Sequence, residues 1–344
     1  MAKFYYGGQA MVEGVMMRGK HSAAVAVRKP DGGISLYEEA LNPRLYQNAL
    51  FRLPFLRGML LLWEMLVLGT RLMALSANIA TGAIDLEDTS RAPLSEPGKA
   101  ETADASSTDE VNGQASEERP PVLGGFALAL TLLFSLGFAI ALFFVGPVFL
   151  TGLLRGQIGT GWLSIVVEGV IRLALLVGYL YLIGRLPDIQ RVFGYHGAEH
   201  KAINAMESGL PLDVEHVRQS SRVHTRCGTG FLLLVMVVSI FVFALVGSPS
   251  LPLKILSRII LVPVVAGIAY ELMRLGAANY RLRVVRWLMA PGLTLQGLTT
   301  REPDDSMIEC AIAALKRVMR RDGIDEGGSE AVEEPLPPLV EVKS

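Results

Sequence analysis

Two imidazoles and a carboxylate stand within five residues of one another in Tyr195-His196-Gly197-Ala198-Glu199-His200-Lys201. Positions i and i+4 share one face of an α-helix, so on a helix His196 and His200 can grip one ion together. A metal site needs further donors, and a catalytic one keeps a coordination position open. The next ligand is expected from His224 or Cys227, three residues apart in His224-Thr225-Arg226-Cys227-Gly228-Thr229-Gly230. Glu271 is a third candidate, because a lone carboxylate inside an apolar segment is costly and a functional suspect. Its competing role is an ion pair with Arg274 at i+3. Glu199 has two roles open to it: general base toward a water, or orienting partner of a histidine ligand. Donors of this kind take a divalent metal, with zinc the best match. A closed set of His196, His200, His224 and Cys227 would be structural instead of catalytic.

The order His-x-x-Glu-His is the one used by inverted zinc peptidases, in which the Glu serves as general base. That makes hydrolysis, peptidase chemistry included, the first expectation. The stretch Gly7 to Gly19 adds Glu13 and Arg18 between glycines, one acid and one anion binder that are candidates to position substrate. The competing reading there is a glycine-rich turn leading into the next element. His21 is expected to be solvated. Residues 290–305 gather polar groups before a final helix and read as a turn and cap, with Asp304 or Ser306 capping.

The elements that must position these residues are mostly apolar helices. The chain has 344 residues, net charge −1 and mean hydropathy +0.40. The neutral balance conceals two acidic stretches, at 85–118 and 322–344, without which the remaining body carries about +13. Basic charge beside apolar spans marks a membrane protein whose basic side is cytoplasmic. A nucleic-acid binder is also basic but is rarely this apolar, so no nucleic acid is expected. Cys227 and Cys310 make no disulfide framework, and no signal peptide is visible at the N-terminus.

Val122 to Leu154 is free of charge over 33 residues, more than the ~20 that cross a bilayer. Trp162–Gly184, interrupted by Glu168 and Arg172 at i and i+4, Phe231–Gly247 and Ile255–Leu275 complete four spans in two hairpins. Arg185, Arg191, Lys201, Arg218, Arg222 and Arg226 load the central loop, and Arg281, Arg283 and Arg286 follow the last span. The positive-inside rule then places both termini and the central loop in the cytoplasm. Phe55–Ala80 is apolar yet carries Arg57, Glu64 and Arg71, and is expected to lie in-plane or re-entrant at the cytoplasmic surface. Alternation on both sides of Lys29-Pro30-Asp31-Gly32-Gly33 predicts a β-hairpin over 22–40. Asp304 to Arg321 predicts an amphipathic helix with Met307, Cys310, Ala314 and Val318 as its apolar stripe, packed on the body.

The expected class is therefore a mainly α, polytopic membrane protein with a small N-terminal β-hairpin. Its parts are a cytoplasmic glycine-rich and hairpin segment (1–50), the in-plane or re-entrant helix (51–82) and a disordered acidic linker (83–120). A first transmembrane hairpin (121–186), a cytoplasmic loop with the His/Glu/Cys motif (187–230) and a second hairpin (231–276) follow. A cytoplasmic segment with the amphipathic helix (277–321) and a disordered acidic tail (322–344) end the chain.

Four blocks together resemble the YqhQ-like family, a domain-of-unknown-function family of multispanning bacterial membrane proteins: Gly8 to Arg18, Tyr195 to Lys201, Arg226 to Thr229, and Pro291-Gly292-Leu293 through Asp304. Met11-Val12 stands in swapped order, and Thr225 replaces an expected proline. The resemblance implies residence in a bacterial inner membrane and a metal carried by His196, Glu199 and His200. It implies no specific reaction. A metal-dependent hydrolase leads, with the lipid bilayer and an unidentified substrate or protein as partners. A non-catalytic membrane scaffold or assembly factor with a structural metal is the alternative. A transporter is third, because only Glu168 and Arg172 sit well inside a span.

Overall fold

The computed structural model describes residues 6–41, 53–84, 125–159, 161–247 and 250–324. Most of the stretches read as acidic linker and acidic tail lie outside the described residues. Four strands, β1 (Gly7–Met11), β2 (Gly14–Arg18), β3 (Ser22–Arg28) and β4 (Ile34–Ala40), form an antiparallel meander in that order. The helices are α1 (Leu56–Ala80), α2 (Gly125–Ile140), a π-helical turn (Ala141–Val145), α3 (Gly146–Leu153), α4 (Arg155–Ile158) and α5 (Trp162–Ile183). They continue with α6 (Pro187–Glu207), α7 (Val214–Gln219), α8 (Gly228–Val246), α9 (Leu251–Ala278), α10 (Arg283–Thr299) and α11 (Asp305–Arg321).

The expected hairpin is the second half of the sheet. Arg28 pairs with Ile34 across a turn in which Gly32 adopts φ 87° and Asp31 Oδ1 accepts from the Gly33 N–H at 2.8 Å. The first half, for which a glycine-rich turn was the competing reading, is a second hairpin, Met11 pairing with Gly14 around Val12-Glu13. Polar alternation is missing there because both faces of the sheet are buried. Met11, Met16, Ala23, Val25 and Val27 point toward Leu68, Leu72 and Ile79 of α1. Ala10, Val15, Met17, Ala24 and Ala26 point toward Tyr195, Ala198 and Ala202 of α6 and Ile308, Ala311 and Leu315 of α11. The stripe Met307, Cys310, Ala314 and Val318 is buried in this second layer, packed on the body as expected.

Among the described residues, five stretches are long and apolar enough to cross a membrane: Leu56–Ala80, Leu133–Leu153, Trp162–Ile183, Gly228–Val246 and Ile255–Ala278. Four match the expected spans and α1 is the fifth. Its second half lies on the sheet, whereas its first turn meets α9, where Tyr270 packs on Gly58. All three of its charges are matched, Arg57 by Glu271, Glu64 by Arg18 and Arg71 by Glu39. Between the spans, Glu168 and Arg172 pair at 3.0 Å as expected, but Arg258 of α9 joins them at 3.2 Å. Arg172 also donates to Ser239 Oγ and to the Phe143 carbonyl, which sits in the π-helical turn. Arg258 stacks on the Phe243 ring, 3.9 Å from its centroid.

The segment expected as a loop at 187–230 is largely helical. Pro187 and Asp188 open α6, and the helix closes in a Schellman arrangement, with Gly209 at φ 70° and the Leu210 N–H on the Ala205 carbonyl. Residues 290–299, expected as part of a turn, belong to α10 despite Pro291. Only 300–304 connects to α11, where Asp304 accepts from the Met307 N–H as the cap. Asp322, read as part of the acidic tail, instead accepts from the backbone of Lys20 and His21 and from the Tyr6 hydroxyl.

Candidate metal centre

Helix α6 carries His196, Glu199 and His200, so the i, i+4 pair faces one way, with ring centroids 4.4 Å apart. His196 Nδ1 lies 2.9 Å from the Thr299 carbonyl, and His200 Nδ1 lies 2.5 Å from the Arg222 carbonyl. A carbonyl only accepts, so each neutral ring carries its proton on Nδ1 and presents the Nε2 lone pair. Metal-binding histidines are oriented in this way. Cys227 caps α8, its sulfur accepting from the Thr229 N–H and lying 3.4 Å from His196 Nε2. Donor atoms of His196, His200 and Cys227 all lie within 4.8 Å of one another. Tetrahedral zinc sets a nitrogen and a sulfur about 3.6 Å apart. The donor set fits.

Glu199 Oε2 lies 3.9 Å from His196 Nε2. The carboxylate is buried beneath β1, where a Cβ on Gly8 would stand 2.8 Å from its Cγ. Glycine is required at that crossing. Burial pushes the Glu199 carboxyl up to about 7, against the pull of His196 and of the Gly8 N–H. Gly197 is needed for the same kind of reason: a Cβ there would stand 2.1 Å from the Arg301 carbonyl.

The other candidates sit elsewhere. His224 is 5.6 Å from His200 by ring centroid, with its Nε2 facing Arg226 at 3.3 Å. Burial and the neighbouring Arg226 charge push its pKa down to about 3, so it stays neutral. Glu271 is gripped by Arg57 and by the Phe55 N–H, with Arg274 4.0 Å away. Glu13 is in the β1–β2 turn at φ 51°, bound by Arg191 and the Tyr195 hydroxyl; the hydrogen bonds from Arg191 hold its carboxyl below the usual range. Arg18 pairs with Glu64 at the other end of β2. None of these four enters the donor group. His21 is half-exposed beside Asp322.

Three contributors escape a reading of motifs. Gln296 clamps the His224 backbone, accepting from its N–H at 3.0 Å and donating to its carbonyl at 2.7 Å. Thr299 supplies the carbonyl that orients His196 and a hydroxyl to Thr229. Glu302 ties Lys201 to Arg222, holding the 220s against α6. The signal for Gln296 and Thr299 was their i, i+3 spacing in the Pro291 to Arg301 block, read instead as a turn.

The same blocks carry a family likeness. The family described as "Protein of unknown function (DUF1385)" matches residues 53–321. The chain belongs to that family. It is also 36% identical over 323 residues to "Uncharacterized protein YqhQ" of Bacillus subtilis (strain 168), covering 93% of this chain and 94% of that protein. No solved structure matches. The five apolar helices among the described residues are those of a membrane protein.

Proposed function

We propose that this is a multi-pass protein of the bacterial inner membrane, with both termini and the metal centre on the cytoplasmic side, acting as a metal-dependent hydrolase, with peptide bonds the first substrate class. The carrying observation is the Glu199 carboxylate 3.9 Å from Nε2 of a histidine in a three-donor group. His196, His200 and Cys227 would hold the ion. A zinc ion bound so supplies Lewis acidity and lowers the pKa of water. Three protein donors leave a fourth position open, the pattern of catalytic sites. Glu199 Oε2 takes a proton from water and returns it to the leaving group, a task suited to a carboxyl near pH 7. The basic connections around α6 and after α9 support the orientation.

The rival reading is a scaffold or assembly factor whose metal staples the 220s to α6. It draws on His224, close enough to His200 to supply a fourth ligand after a ring rotation. Metal analysis of purified protein separates them. Wild type is expected to carry about one zinc per chain, and His200→Ala and Cys227→Ala to lose most of it. Glu199→Gln keeps the metal and loses hydrolysis of a fluorogenic peptide library on the catalytic reading, but remains functional in cells on the staple reading. Equal, near-zero metal in all of them would remove both.

A further inference from the structure

The contacts of α10 run across one end of the membrane bundle. Gly276, two residues before the end of α9, meets Met289; Gly230, near the start of α8, meets Gly292; His224, just before α8, meets Gln296, and Thr229 in its first turn meets Thr299. Leu295 packs with Leu180 near the end of α5. A helix that touches the same-side ends of successive spans lies across them, parallel to the bilayer surface.

Its exposed surface is divided in two. Val284, Trp287, Leu288 and Pro291 recur at i, i+3, i+4 and i+7 on one flank, and Val284, Trp287 and Leu288 are 69%, 76% and 63% exposed. The other flank presents Arg283 and Arg286, with Arg281 in the turn before, all exposed. Among the described residues none of these three arginines forms an ion pair, although Arg28, Arg191, Arg218, Arg222 and Arg226 all do. An apolar flank rich in Leu and Trp beside an uncompensated basic flank complements an anionic lipid surface: rings at acyl depth, guanidinium groups at the phosphates.

We infer that the first half of α10 is an in-plane docking helix for anionic phospholipid headgroups. Its second half supplies Gln296 and Thr299, which hold His224 and His196, so the headgroup contact is mechanically joined to the metal centre. The inference rests on the membrane reading and not on the metal.

The test uses the full chain carrying Trp63→Phe and Trp162→Phe, which leaves Trp287 as the sole tryptophan, reconstituted in mixed vesicles of phosphatidylcholine and phosphatidylglycerol in which one or the other lipid is brominated. Trp287 fluorescence is expected to be quenched by both lipids, with a preference for phosphatidylglycerol of roughly tenfold. Arg281→Gln/Arg283→Gln/Arg286→Gln should abolish that preference, and the corresponding triple lysine variant should retain it. Trp287 unquenched by either lipid would overturn the in-plane placement. Equal quenching by the two lipids, or a preference unchanged in the glutamine variant, would overturn anionic recognition. Zinc content is read separately, so loss of metal leaves this result untouched.

Discussion

Glu199 is the residue in which the site's chemistry and its cost meet. Its carboxyl is buried under Gly8, and its folded pKa of about 7 lies above the ordinary value of 4.5. The folded protein then binds a proton there more readily than the unfolded chain does between pH 4.5 and 7. Stability attached to this group is therefore fully present below about pH 4.5 and falls as pH rises to 7, by about 3 kcal/mol in all. In metal-stripped protein, Glu199→Gln should raise unfolding stability at pH 8 by up to that amount and change it little at pH 4, measured by denaturant titration. An equal gain at both pH values would show that the carboxyl does not titrate in this window. A gain confined to pH 8 would mark Glu199 as a carboxylate kept at a cost in stability, the pattern of a functional group.

At the scale of elements, α6 does more than carry a motif. Its glycine at 197 lets the 300–304 connection pass against the helix, the Arg301 N–H reaching the Phe193 carbonyl at 2.8 Å. That contact places Thr299 where it orients His196. Gly197→Ala should lower stability by about 1–3 kcal/mol, the usual cost of overpacking, and lower zinc content with it; unfolding midpoints and metal analysis check both. A stability loss with full zinc retention would separate the close approach from the metal centre. Helix α1 illustrates a second lesson. Its three charges are each paired, so the helix lies between sheet and bundle without exposing a bare charge.

For the whole molecule, a layer of helix, sheet and helix is joined to an apolar bundle, and the candidate metal centre of His196, His200 and Cys227 lies where α6 meets the ends of α8 and α10. The bundle has its own polar centre in Glu168, Arg172 and Arg258, which strengthens the case for more than inert anchoring in these spans. Orientation is open to a direct check. A reporter fused after Leu251 should read extracytoplasmic, with the metal centre on the opposite face; a cytoplasmic signal there would reverse the topology. Fusions after Ser220 should give the complementary signal.

Local patterns determined much of this protein. Charge-free length marked the spans, alternation around a Pro-Asp-Gly turn marked β3 and β4, and the four-residue spacing of His196 and His200 marked a shared helix face. Each of these is encoded between near neighbours along the chain. The choice of Cys227 over His224 and Glu271 in the donor group was decided only by tertiary structure. So were the carbonyls that set both histidine tautomers, one of them 103 residues away, and the burial of Glu199 under a strand nearly two hundred residues earlier. Those features depend on which distant segments the core brings together, and spacing along a chain holds no measure of that distance.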